Sequence, residues 1–95
     1  MTFRGLGNGY RLLIVLHREG GNLQGGELRK AIKNYDTAKN VANDLCEVGL
    51  VKVERVKRPK LTHIYSLTPK GNEVAELLLK VDDMIWEGIE RPEEE

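Results

Sequence analysis

The chain has 95 residues, enough for one domain around a single core and too few for two. Its hydrophobic content of 40% is that of a water-soluble domain, and the longest unbroken apolar run, Leu12 to Leu16, falls far short of the ~20 residues of a membrane-spanning helix. The net charge of zero conceals a split: residues 1–70 carry thirteen Lys/Arg against six Asp/Glu, residues 71–95 two against nine, so a +7 part precedes a −7 part.

In chain order, a first helix is predicted from Asn8, read as its N-cap, to about Glu19. Leu12, Leu13 and Leu16 form its apolar stripe, and Gly20-Gly21 ends it. Leu23, isolated among glycines and polar residues, suits a short extended piece. A second helix is expected over roughly Gly25 to Ile32, where Leu28, Ala31 and Ile32 fall at helical spacing behind two poor helix formers. Lys33-Asn34-Tyr35-Asp36 reads as a turn into a third helix, capped by Asn34 or Asp36 and closed at Gly49. Ala38, Val41, Ala42, Leu45 and Val48 make one buried stripe on that helix; Thr37, Lys39, Asn40, Asn43, Asp44 and Glu47 lie on the complementary face.

After Gly49 the period changes from helical to extended. Leu50–Val56 and Leu61–Leu67 are strands joined by the turn Lys57-Arg-Pro-Lys60. Thr68-Pro69 then starts a last helix, threonine as N-cap and proline at the first helical position. It is expected to run to about Ile89, near 30 Å at ~1.5 Å per residue, before the acidic residues 91–95. Val74, Leu78, Val81 and Ile85 form a coiled-coil-like seam widened by Leu77, Met84 and Ile89, with Trp86 to one side. Such a helix is too apolar and too long for a core of seventy residues to cover, so its far half is expected to pack on a second copy.

Two adjacent helices joined by a tight turn, the second ending in Leu45-Cys-Glu-Val-Gly-Leu-Val51, lead into a basic hairpin that closes with Leu67-Thr-Pro-Lys-Gly71, Tyr65 two residues before it. Over residues 10–85 this resembles the winged helix-turn-helix transcriptional regulators of the MarR, PadR and ArsR kind. The resemblance implies an α+β winged-helix fold, with residues 1–70 as the DNA-binding part and 71–90 as a continuous dimerisation helix. It implies a homodimeric regulator of double-stranded DNA, most simply a repressor, with the third helix in the major groove and the hairpin on minor groove or phosphates.

On that reading Asn40 and Asn43 face adenine edges, Thr37 and Lys39 hold phosphates or bases, and Tyr35 touches the backbone. Arg55, Lys57, Arg58 and Lys60, with Lys52 and His63 beside them, supply the wing's cations. Val74, Leu78, Val81, Ile85, Trp86 and Ile89 are the expected dimer contacts. Two other readings stay open: a winged-helix module for protein–protein contact, and a chromatin-type protein that coats DNA without sequence preference. A basic hairpin is also a common way to keep a sheet edge from aggregating.

No other chemistry is indicated. His17 and His63 stand apart from any second ligand at metal spacing, so neither a metal nor a cofactor is expected. Gly5-x-Gly-x-Gly9 follows no strand and lacks a Lys-Ser/Thr, so it is not a phosphate loop. Without a paired acid and base or an activated nucleophile, an enzyme is not expected. Cys46, alone, closes no internal disulfide and reads as packing, and the opening residues show no apolar leader. A reducing cytoplasmic setting is therefore expected.

Overall fold

A computed structural model describes residues 7–57 and 61–90. The order is α1 (Asn8–Arg18), β1 (Asn22–Gln24), a 3₁₀ helix (Gly25–Lys30), α2 (Tyr35–Glu47), β2 (Val51–Val56), β3 (Thr62–Leu67) and α3 (Pro69–Trp86). The strands form one antiparallel sheet in the order β1-β3-β2.

Helix α1 starts one residue earlier than its polar residues suggest. Gly7 is the N-cap, at φ +91, with no side-chain cap bond, and Asn8 is already helical. A left-handed backbone at that position suits glycine and not a capping asparagine. At the other end the Gly21 N–H reaches back to the Leu16 carbonyl at 2.8 Å, and the Gly21 carbonyl accepts from the Leu67 N–H, tying the helix stop to β3. Leu12, Leu13 and Leu16 enter the core as expected, but Tyr10 and Ile14 are buried too. Tyr10, Ile14 and Arg18 follow one another at spacings of four, along a line of α1 that meets α3.

The segment after β1 is a six-residue 3₁₀ helix in place of the expected α-helix to Ile32. Two glycines in the first turn make α-helix nucleation costly, and a short piece settles for the tighter i→i+3 pattern. A capping box holds its start: the Gln24 N–H donates to the Glu27 carboxylate at 2.9 Å while the Gln24 side chain caps the third helical residue. Leu28, Ala31 and Ile32 are buried all the same.

In the core, α1, the 3₁₀ helix and α2 pack over one sheet face around Leu12, Leu16, Leu23 and Leu28, each burial contributing about 1.5–3 kcal/mol of transfer free energy. The row Leu23–Tyr65–Val53 crosses all three strands, since register pairs Leu23 with Tyr65 and Tyr65 with Val53. Ala38, Ala42 and Leu45 complete the core from α2. Val48 leaves the stripe predicted for it: at the C-cap its backbone is turning out of the helix, and it is 56% exposed.

Helix α3 begins as expected. The Thr68 hydroxyl accepts from the Gly71 N–H at 3.0 Å, with Pro69 in the first turn. It ends at Trp86, because Glu87 turns to extended backbone (φ −56, ψ 123), so Ile89 lies beyond the helix rather than on its seam. No described helix is long and apolar enough to cross a membrane.

Candidate nucleic-acid interface

The geometry of α2 follows from its cap. The Asn34 Oδ1 accepts from the Thr37 N–H at 2.9 Å, choosing between the two capping candidates. Asp36 then falls in the first turn, exposed, where a negative charge complements the helix dipole. With Ala38, Ala42 and Leu45 inward, the opposite line carries Asp36, Asn40, Asn43 and Glu47 at i, i+4, i+7 and i+11, all exposed. Asp36 belongs to this outer line, a placement that its reading as a possible cap had hidden.

Thr37 and Lys39 flank the line and are half-buried. The Lys39 ammonium lies 5.7 Å from the centre of the Tyr35 ring, within range of a cation–π contact. Tyr35 is itself exposed, and its hydroxyl leans toward Gly25 at the start of the 3₁₀ helix.

Strand alternation divides the cations of the hairpin. Arg55 pairs with His63 and shares the sheet face of Val53 and Tyr65; Lys52 pairs with Ser66 on the other face, beside Glu54. Lys57 is exposed just past β2, and Arg58 and Lys60 lie outside the described residues, as does the acidic stretch 91–95. Lys52 and Arg55 therefore do not act as one patch, which the run of basic residues in sequence had suggested.

Burial pushes the Tyr65 hydroxyl up from its ordinary pKa, helped by Tyr35 and Cys46, and burial alone raises the Cys46 thiol, which disfavours the reactive thiolate. Lys30 is also raised, by a 2.8 Å hydrogen bond to Glu19 and the charge of the same carboxylate. Among the described residues no three His, Cys, Asp or Glu side chains come together where they could hold a metal ion.

Helix α3 turns a different line outward from the one the seam described. Val74 and Leu78 are half-buried against the domain's own core. The uncovered line is Leu77, Val81 and Met84, at 60%, 42% and 73% exposure, with Ile89 exposed past the helix end. Ile85 and Trp86 are half-buried. The inward line is Gly71, Ala75, Leu78, Asp82 and Ile85, and Asp82 on it has a side chain wholly excluded from solvent. Its carboxylate accepts from the Tyr10 hydroxyl at 2.9 Å and lies 3.8 Å from the Arg18 guanidinium. Reading the phase from Gly71 and Ala75 instead of Val74 places a carboxylate on the buried face, the signal by which Asp82 is found.

No family model matches the sequence, and no curated protein matches it either. Solved structures do. A transcriptional regulator homologue from Pyrococcus horikoshii superposes with a TM-score of 0.68 at 21% identity, over 87% of this chain and 85% of that one. The protein AF1382 from Archaeoglobus fulgidus gives 0.70 at 18%, over 87% and 90%. MepR, a transcription regulator of the Staphylococcus aureus multidrug efflux pump MepA, gives 0.67 at 21%, over 85% and 60%. The chain has the winged-helix fold. In the terms of that fold, the 3₁₀ helix and α2 are the helix-turn-helix, the β2–β3 hairpin is the wing, and α3 is a long terminal helix. The winged helix spans most of the two archaeal proteins and about three fifths of MepR.

Proposed function

We propose that this winged helix is a transcriptional regulator that binds double-stranded DNA as a homodimer. The observation that carries the reading is the exposed polar line of α2, with Asn40 and Asn43 at its middle and Lys39 at its flank, opposite a stripe anchored in the core. A helix presented in that way enters the major groove, where an asparagine side chain can make a bidentate pair with an adenine edge. Thr37 and Lys39 hold the adjacent phosphates, with Tyr35 at the helix entrance. Arg55 and Lys57 reach a neighbouring groove or its backbone, and Arg58 and Lys60, between the two strands in sequence, add to the positive charge available there. The solved relatives described as transcription regulators favour the same use of the fold.

The second copy docks on the outer line of α3. Leu77, Val81 and Met84 form an apolar surface on a helix whose other side is committed to the core, and a two-fold DNA site requires such a pair to hold its two α2 helices about one DNA turn, ~34 Å, apart. Blocking a promoter by occupying a two-fold site is the simplest consequence, in a cytoplasmic setting.

The test is affinity for a labelled random-sequence duplex across a salt series. A dimer that neutralises about 6–10 phosphates loses roughly 10³-fold or more between 50 and 200 mM salt. Lys39→Ala and Arg55→Ala should each make the slope shallower by about one. Asn40→Ala with Asn43→Ala should instead erase preference for a site selected from random duplexes while sparing the salt slope. Absence of binding at the lowest salt would reject the reading in favour of protein–protein contact; equal weakening on every sequence would leave only phosphate binding.

A further inference from the structure

Asp82 is an expensive residue for its position. It is the one charged residue among the described residues with a buried side chain, and it stands on the inward line of α3 where Gly71, Ala75 and Leu78 pack. Removing a carboxylate from water costs several kcal/mol, and an apolar residue there would often match or exceed the stability of the ion pair that replaces hydration. What an apolar residue lacks is direction. A hydrogen bond at 2.9 Å to a tyrosine hydroxyl is satisfied at one axial and rotational setting of two helices, whereas leucine against isoleucine tolerates sliding.

The partners define that setting. Tyr10 and Arg18 lie eight residues apart on one line of α1, with buried Ile14 between them, and both reach the same carboxylate. The pair therefore brackets Asp82 along the axis of α1. Asp82 directly follows the exposed Val81 and stands two residues before the exposed Met84 on the same helix, so whatever fixes Asp82 also fixes where the outer apolar line points.

We propose that Asp82 is a positioning residue, held by Tyr10 and Arg18, that locks α3 against α1 and so sets the separation of the two α2 helices in the dimer. This rests on the homodimer reading above. The wild-type lock gives one inter-helix separation; without it α3 settles at several rotations about the same core, and the spacing between recognition helices spreads.

The experiment measures the distance between two copies of a nitroxide placed on the exposed face of α2 by Asp44→Cys, in a Cys46→Ser background of the whole chain. Sedimentation and thermal unfolding accompany it. Three lock variants are compared with the unsubstituted lock: Tyr10→Phe, Asp82→Asn, and Tyr10→Phe with Asp82→Leu, which removes the hydroxyl and the carboxylate together and leaves the partly exposed Arg18 to solvent. The expected result is a single narrow distance with the lock intact and loss of that single peak in the variants. In the double variant the unfolding midpoint should be unchanged or higher. A broadened distance in a protein that is no less stable separates positioning from support of the fold. A narrow, unshifted distance in any variant that remains a folded dimer overturns the proposal and leaves the dimer standing. A wild-type chain that sediments as a monomer removes the dimer reading and the proposal with it. If Asp82→Asn fails to fold, the Tyr10→Phe distance decides, since that variant keeps the carboxylate and its guanidinium partner.

Discussion

Gly71 lies so close to Leu50 that a methyl group on its α-carbon would overlap the Leu50 carbonyl oxygen. The contact joins the first turn of α3 to the entry of β2, and three hydrogen bonds surround it. The Thr68 N–H donates to the Leu50 carbonyl at 3.1 Å, the Thr68 hydroxyl to the Gly49 carbonyl at 2.6 Å, and the Lys70 ammonium to the Val48 carbonyl at 3.1 Å. The end of α2 at Glu47 and the start of α3 at Pro69, twenty-two residues apart in sequence, thus form one joint. Leu45-Cys-Glu-Val-Gly-Leu-Val51 and Leu67-Thr-Pro-Lys-Gly71 are two sides of it, which is a physical reason for the two patterns to occur together.

Gly71→Ala should be among the most damaging single substitutions in the chain. The obstructing atoms are backbone, which cannot swing aside as a flexible side chain would, so relief requires α3 to move off the core. A loss of about 3 kcal/mol is expected, at the upper end of ordinary overpacking. Denaturant unfolding of the variant would show it; a change below about 0.5 kcal/mol, the range of neutral surface substitutions, would mean the joint yields easily.

Thr68→Val keeps the shape of the joint and removes its hydroxyl. The Gly71 N–H loses its cap and the Gly49 carbonyl its donor. A cost of about 1–2 kcal/mol is expected from the cap, while Thr68→Ser, which retains both bonds, should stay near wild type. Equal stability of the valine and serine variants in the same denaturant series would show that the hydroxyl contributes nothing.

These residues also mark what the sequence discloses. Periodicity finds α1, α2, the hairpin and α3 because each buries one face, and Thr68-Pro69 and Asn34 announce their helix starts. The 3₁₀ helix is misread because Leu28, Ala31 and Ile32 are buried whether the turn is α or 3₁₀, so burial spacing over six residues does not distinguish them. Val48 and Ile89 fail because helix ends depend on backbone turns that apolar spacing does not encode. Which side of α3 is free depends on α1 lying against it through Tyr10, Ile14 and Arg18, a tertiary choice that leaves Val74 inward and Leu77 outward. In the candidate interface, Asn40 and Asn43 are legible as the face opposite Ala38 and Ala42. The separation of Lys52 from Arg55 follows from strand alternation and is legible as well, whereas the pairing of Arg55 with His63 requires the register.

Alkaline pH should weaken the fold before any loss on the neutral side. Tyr65 and Cys46 both have raised pKa values in the folded chain, mainly through burial, so the unfolded chain releases their protons first. Stability from these groups is fully present below their ordinary values, 9.0 for the thiol and 10.0 for the phenol, and is lost as pH rises from there through the raised folded values. Lys30 adds in the same direction, screened by solvent. Chemical denaturation at intervals of pH should show a plateau near neutrality and a fall in that window. Tyr65→Phe should flatten the fall; an equally steep fall in that variant would assign it elsewhere.

The outer line of α3 makes the sharpest division between folding and assembly. Leu77, Val81 and Met84 are exposed in the single chain, so replacing Leu77 and Met84 by lysine leaves the core untouched, and each change should alter the stability of the monomer by no more than about 0.5 kcal/mol. In a dimer the same lysines would have to be desolvated against one another, with like charges facing across a two-fold axis. The double variant should therefore sediment as a folded monomer at concentrations where the parent is a dimer, and its affinity for a two-fold DNA site should fall while binding to a single half-site remains. Persistence of the dimer would mean that the second copy docks elsewhere, and the half-buried Ile85 and Trp86 would be the next residues to change.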